Sequence, residues 1–214
     1  MVPIVEKLTL GVLQANCYIV QCPATRETVV IDPGLEPERI IERLHALGDP
    51  NVVALLATHG HFDHVVGVRA LQEYTRAPFW IAREEWELWA RHAHEHPVFL
   101  NLPPTEPVPP PDRFLSEGDQ FTVGTLEFEV LALRGHAPDH LGFLLKNTQP
   151  MHLFCGDAIF AGSVGRTDIP YADLDTLREH LHTRVLNLPD DTILHPGHGP
   201  DTTVGIERAT NPYL

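Results

Sequence analysis

The run Thr58-His59-Gly60-His61-Phe62-Asp63-His64 follows directly on the apolar stretch Val52–Ala57. The stretch has the length and composition of a buried strand. His59 and His61, two residues apart, would fall on opposite sides of a helix, so the cluster belongs to the turn by which the chain leaves that strand. Such a turn can aim His59 and His61 one way and Asp63 and His64 another. Three imidazoles and a carboxylate are a donor set suited to a zinc-like cation. The fold therefore has to present strand ends at a common rim, where a rigid sheet can hold side chains for chemistry.

Three further donors stand after expected strands: His136 in R-G-H-A-P-D-H, Asp157 in C-G-D-A-I-F and His198 in H-P-G-H-G-P. Glycine flanks each and permits tight turns. Seven donors exceed what one tetrahedral ion with an open position needs, whereas two ions sharing a carboxylate account for all of them. At 214 residues the chain can bury a full core without a metal to hold it together. A bound metal therefore serves chemistry. The formal charge of −14, with 14 histidines counted as neutral, repels nucleic acid and anionic lipid and favours cations.

Elsewhere the pattern predicts strands at Ile4–Leu10, Cys17–Gln21 and Thr28–Ile31 and a helix from Pro37 to Gly48. A helix-period segment at Val65–Arg76 and a helix over 84–94 follow. Strands then recur at Phe121–Val123, Leu126–Leu133, Leu141–Lys146 and Met151–Cys155, with a helix over Asp173–Leu188 and a strand at Thr192–Leu194. The Pro-rich residues 97–112 form an expected rigid flap over the site. Composition does not shift along the chain, so one domain is expected over residues 1–214. Cys17, Cys22 and Cys155 form no C-x-x-C pair, which points to a reducing cytoplasm without disulfides or a thiolate zinc site. No apolar run approaches the ~18 residues of a membrane span. His45, His152 and His195 are expected in structural roles. His92, His94 and His96 should end a solvated helix, and Trp86 and Trp89 should belong to the core.

The ordered set H-x-H-x-D-H, later His, Asp and final His resembles the metallo-β-lactamase superfamily. Within it, G-D-A-I-F-A-G-S-V-G-R-T-D and H-P-G-H-G-P are similar to short hydroxyacylglutathione hydrolase (glyoxalase II)-like proteins. The likeness runs from Asn16-Cys17-Tyr18 to Asn211-Pro212. It implies an α+β fold, a four-layer αββα sandwich of two facing mixed sheets. It also implies two divalent ions, zinc first with iron or manganese as alternatives. His59, His61 and His136 would hold one ion, Asp63, His64 and His198 the other, and Asp157 would bridge them. Asp32 matches a recurrent position behind the ligands, where a carboxylate orients an imidazole. The glutathione-binding helical region of the larger enzymes is not expected, since only residues 199–214 follow His198.

The implied activity is hydrolysis of thioesters of the hydroxyacylglutathione type by a water held as hydroxide between two ions, with Asp63 holding its proton. Arg166 aligns with a family lysine that contacts glutathione, but Asp168 replaces a tyrosine, which leaves the glutathione clamp incomplete. The G-R-T-D loop is also similar to persulfide dioxygenases, and His59, His136 and Asp157 alone would satisfy a mononuclear iron oxidoreductase of that kind. The expected partner is a small-molecule thioester, and neither nucleic acid nor a membrane. A monomer or small homo-oligomer is expected. Asp139 stands where the family usually has glycine.

Overall fold

The structure is a computed structural model that describes residues 2–214. Its first half contains β1 (Ile4–Leu10), β2 (Ala15–Gln21), β3 (Glu27–Ile31), α1 (Pro37–Ala46), β4 (Asn51–Leu56), α2 (Phe62–Val65), α3 (Val68–Thr75), β5 (Phe79–Ala82), α4 (Arg83–Leu88) and, beyond a 3-10 stretch at Ala90–Leu100, β6 (Arg113–Leu115). These six strands form one sheet in sequence order, antiparallel through β3 and parallel from β3 to β6.

The second half contains β7 (Gln120–Val123), β8 (Leu126–Ala132), β9 (Leu141–Leu145), β10 (His152–Gly156), the ribbon β11 (Ile159–Phe160) and β12 (Ser163–Val164), α5 (Leu174–His180), β13 (Ile193–Pro196), β14 (Thr202–Thr203) and α6 (Val204–Thr210). The second sheet has the order β14-β13-β10-β9-β8-β7 and is antiparallel except for the parallel pair β10 and β13.

Period-two burial makes the layers. In β2, Tyr18 and Val20 face the second sheet while Cys17 and Ile19 face the helices, and β3 divides Val29 and Ile31 from Val30 in the same way. Both faces are covered, which is why these strands read as continuous apolar runs. Phe128, Val130, Phe143 and Phe154 meet the first sheet across the central core. On the outer face of the second sheet, Leu131, Leu144 and Leu153 pack with Leu177 and Leu181. The result is the expected αββα sandwich.

Several local expectations are corrected. The helix over Val65–Arg76 is broken into α2 and α3, because Gly67 donates its N–H to Pro33 O (2.9 Å) and a Cβ there would strike the Gly34 carbonyl. The helix over 84–94 ends at Leu88 and gives way to the 3-10 stretch that contains Pro97. Strands β5 and β6, with four and three residues, are too short to show alternation. Of the flap expected over residues 97–112, Phe99 and Leu100 line the cleft, but residues 103–112 do not. Val108 is buried in the helix-side core, Pro107 O accepts from Arg69 Nε (2.8 Å), and Asp112 Oδ2 accepts from Phe79 N–H (2.8 Å). The segment is a strap across the helix layer that feeds β6.

Phe143 is fully buried between the sheets. Phe143→Ala is expected to lower unfolding free energy by about 3–5 kcal/mol, read from urea denaturation followed by far-UV circular dichroism.

Candidate metal centre

Strand ends deliver the donors to one rim. The turn after β4 carries His59 and His61, α2 carries Asp63 and His64, the β8–β9 connection carries His136, and Asp157 and His198 follow β10 and β13. The turn after β4 is tied to the second sheet by Leu141 N–H donating to Thr58 O (2.7 Å). The His198 loop is tied to β2 by Asn16, whose side chain donates to Pro196 O and Gly199 O, both at 2.9 Å. Tyr18 adds a hydroxyl bond to Pro196 O (2.7 Å). Gly156 turns the chain toward Asp157 at φ +47, where a Cβ would collide with the Thr58 side chain.

Two trios result, His59-His61-His136 and Asp63-His64-His198, each with donor atoms within 4.8 Å of one another. His61 Nδ1 lies 3.1 Å from His136 Nε2. His198 Nε2 and His64 Nε2 lie 3.5 and 3.7 Å from Asp63 Oδ2. The Asp157 carboxylate stands between the trios: Oδ2 is 3.6 Å from His136 Nε2 and 3.5 Å from His198 Nε2, while Oδ1 is 3.6 Å from His64 Nε2.

Hydrogen bonds behind the trios aim the imidazoles. Asp32 Oδ2 accepts from His64 Nδ1 (3.2 Å) and from Thr58 Oγ1 (2.8 Å), which in turn accepts from His59 Nδ1 (3.0 Å). Thr58 N–H donates to Asp32 Oδ1 (2.7 Å). His136 Nδ1 donates to Arg166 O (2.8 Å) and His198 Nδ1 to Leu13 O (3.1 Å). Each bond leaves Nε2 as a lone pair directed into the centre. Asp32, His59 and His64 also lie within ligand distance of one another, but the Asp32 oxygens are committed to these bonds, so Asp32 supports the donors.

His59 Nε2, His64 Nε2 and Asp157 Oδ1 are buried without a hydrogen-bond partner. Orphaned buried polar atoms are costly, and a cation supplies the missing partner for all three. The residues present fit divalent metal. The electrostatics agree. Burial alone would lower His64 and His198, yet the facing Asp63 and Asp157 carboxylates push them up to about 9 and about 10. Burial would raise Asp63 and Asp157, but the neighbouring imidazoles hold both below the usual carboxylate range. His61 and His59 are lowered, chiefly by burial.

The structure adds two buried residues that sequence reasoning missed. His140 stacks on His59 with ring centres 4.9 Å apart, and its Nε2 accepts from Asp157 N–H (3.1 Å). It lies four residues after His136 in R-G-H-A-P-D-H, and that repeated histidine was the available signal. Glu85 on α4 gave no such signal. Its Oε2 accepts from Gly60 N–H (2.9 Å) and its Oε1 from Asp139 N–H (2.8 Å), so one carboxylate joins the loops carrying His59, His61 and His136. Burial pushes it up to about 7, against the lowering effect of those two N–H bonds. Asp139 thus contributes its backbone to Glu85 and its side chain to an ion pair with Arg134 (2.9 Å).

Other expectations divide. His152 and His195 are hydrogen-bonded to each other (2.9 Å) and His195 to Asp201 (3.1 Å), a structural role. Trp86 packs on the core, but Trp89 lines the cleft above the centre, edge-on to His61 at 5.1 Å. His96 also reaches the cleft, between Phe62 and Phe99, instead of ending a solvated helix. The 3-10 geometry turns it away from His92. Arg166 lines the cleft as expected, but its guanidinium is held by Asp168 at 2.8 and 3.0 Å and is not a free cation. Among the described residues no helix is long and apolar enough to cross a membrane.

The family model for the metallo-beta-lactamase superfamily matches residues 10–198. The chain is 35% identical over 210 residues to the hydroxyacylglutathione hydrolase GloC of Haemophilus influenzae, covering 98% of this chain and 97% of that protein. Among solved structures, it is similar to TTHA1623 in a di-iron-bound form, with TM-score 0.86 and 40% identity over 98% of this chain and 100% of that one. It is also similar to the BLEG-1 B3 metallo-beta-lactamase, with TM-score 0.87, 33% identity and 99% of each chain covered.

Removing Asp157, which faces both trios, is expected to cost both ions: Asp157→Ala should fall from two metal equivalents per chain toward none in elemental analysis. Glu85→Gln can offer only one acceptor to the two loop N–H groups. Its metal affinity should fall about 10–100-fold, measured by competition with a chromophoric chelator.

Proposed function

The chain belongs to the metallo-β-lactamase superfamily, and from that premise we propose that it is a metal-dependent thioester hydrolase of the hydroxyacylglutathione type. The observation that carries the reading is the Asp157 carboxylate standing between two complete donor trios. In this reading His59, His61 and His136 hold one ion, Asp63, His64 and His198 hold the other, and Asp157 serves both. Zinc is the proposed metal, while iron and manganese suit the same donors. When bound, two such ions polarise an acyl carbonyl and render water nucleophilic near neutral pH.

The chain's own residues do the rest. Asp32 and Thr58 keep His64 and His59 in the tautomer that leaves Nε2 free, and the Arg166 carbonyl does the same for His136. Asp63, at the floor of the cleft, accepts the proton of the attacking water. A thiolate departs without strong acid assistance, so a cleft whose carboxylates among the described residues are Asp63 and Asp157 alone favours a thioester over an amide. The relative named a hydroxyacylglutathione hydrolase supports the same class. We read residues 1–214 as one catalytic domain acting in a reducing cytoplasm, consistent with three buried free cysteines.

Metal-loaded protein is expected to hydrolyse S-lactoylglutathione, to lose at least about a thousandfold in kcat on chelation, and to recover on addition of zinc. Asp63→Asn should lower kcat at least about a hundredfold. A single bound iron, oxygen uptake with glutathione persulfide and no thioester cleavage would replace this reading with the dioxygenase.

A further inference from the structure

The cleft above the centre has a volume of about 1080 Å3, just above the usual range for small-molecule sites. Its walls are apolar. From the candidate ligand His61 an aromatic series runs outward through Trp89 to Tyr171, with ring centres 5.1 and 6.0 Å apart. A second runs from Phe62 through His96 to Phe99, at 6.2 and 6.1 Å. Phe160, Val164, Ile169 and Pro170 also line the cleft.

These residues are costly where they stand. Phe99 is 82% exposed, and Leu13, Leu100 and Tyr213 along the cleft are also exposed, while Tyr171, in ring contact with the cleft residue Trp89, is 64% exposed. Contiguous exposed apolar surface of this kind marks a place that a ligand covers. The charges point the same way. Arg166 is the only arginine or lysine among the described residues lining the cleft, and Asp168 neutralises it. The chain as a whole carries −14, a field unfavourable to a carrier with several carboxylates.

We infer that the site selects thioesters with a large apolar acyl group, medium-chain or aryl-substituted, over the small hydroxyacyl group of lactoylglutathione; this rests on the thioesterase reading above. The acyl group lies along the aromatic walls with its carbonyl at the centre. Water adds to the carbonyl carbon, the C–S bond breaks, the electron pair leaves with sulfur, and the products are a carboxylate, a thiol and one proton.

The test uses the full-length, metal-loaded protein and acyl thioesters of one neutral thiol, N-acetylcysteamine, with acetyl, lactoyl, butanoyl, hexanoyl, octanoyl and phenylacetyl groups. kcat/KM is expected to rise up to about fourfold per methylene as far as the cleft extends. Phe99→Ala, a change at an exposed position, should flatten that slope. Calorimetric titration with the uncleavable S-octyl and S-methyl thioethers of the same thiol should show the octyl compound binding more tightly by at least tenfold. A flat slope with lactoyl preferred, or equal thioether affinities, overturns the inference and leaves the thioesterase reading standing. No cleavage of any thioester overturns that reading. Tighter octyl binding in that event would still establish an apolar ligand for the cleft, and its absence would remove both.

Discussion

Asp32 receives three hydrogen bonds at the end of β3, from the Thr58 amide, the Thr58 hydroxyl and the His64 imidazole. The arrangement matters because both Asp32 and Thr58 are buried, and a buried carboxylate is tolerable only when its lone pairs are occupied. Satisfying Asp32 therefore dictates where the turn after β4 must run. The same bonds dictate which nitrogen of His59 and of His64 faces the centre. Local backbone geometry, tautomer choice and the approach of one trio to the other follow from one satisfied carboxylate at a strand end. The sandwich supplies the rigidity that this requires. The ends of β3 and β4 are neighbours in one sheet, and Thr58 O also accepts from Leu141 of the other, so the turn is anchored in both layers.

The donors were legible in the sequence because their chemistry is local. The two-residue spacing of His59 and His61 after an apolar strand puts those donors in a turn, with Asp63 and His64 on the short helix α2 that follows it, and His136, Asp157 and His198 each announce a turn through adjacent glycine. The strands were legible for a related reason, since β2, β3 and β4 are buried on both faces and read as unbroken apolar runs. Support from a distance is a different matter. Glu85 lies 25 positions from Gly60 and 54 from Asp139, in a helix whose sequence reads as an ordinary amphipathic segment. Nothing in its neighbours reveals that its carboxylate is buried. His140 sat inside a recognised motif, but its role depends on stacking against His59 across two loops.

The Pro-rich segment shows how composition can mislead about placement. Proline density correctly signalled a stretch outside regular structure, yet rigidity does not say which surface a stretch crosses. Val108, Pro107 and Asp112 tack residues 103–112 to the helix layer. The wall over the centre comes instead from Trp89, expected in the core, and from the 3-10 stretch after it, which supplies His96, expected at a solvated helix end, and Phe99 and Leu100 at the start of the Pro-rich segment. Trp89 and His96 are enclosed by partners in the cleft, and a buried aromatic cannot be assigned to core or wall by its type alone.

The apolar wall and the polar centre reinforce each other physically. The carboxylates and imidazoles face one another, largely buried, at the base of an apolar-walled cleft, and in such surroundings charge interactions are stronger than in bulk solvent. The opposing shifts of His64 and Asp157 express that strength. An apolar group lying along Trp89 and Phe99 would thin the remaining water further, strengthening the field at the carbonyl as the substrate seats. Apolar contact remote from the reacting bond can then help to position it as well as to bind it, provided that the contact tightens toward the transition state. The exposed ring of Phe99 and the enclosed ring of Trp89 mark the outer and inner ends of that path.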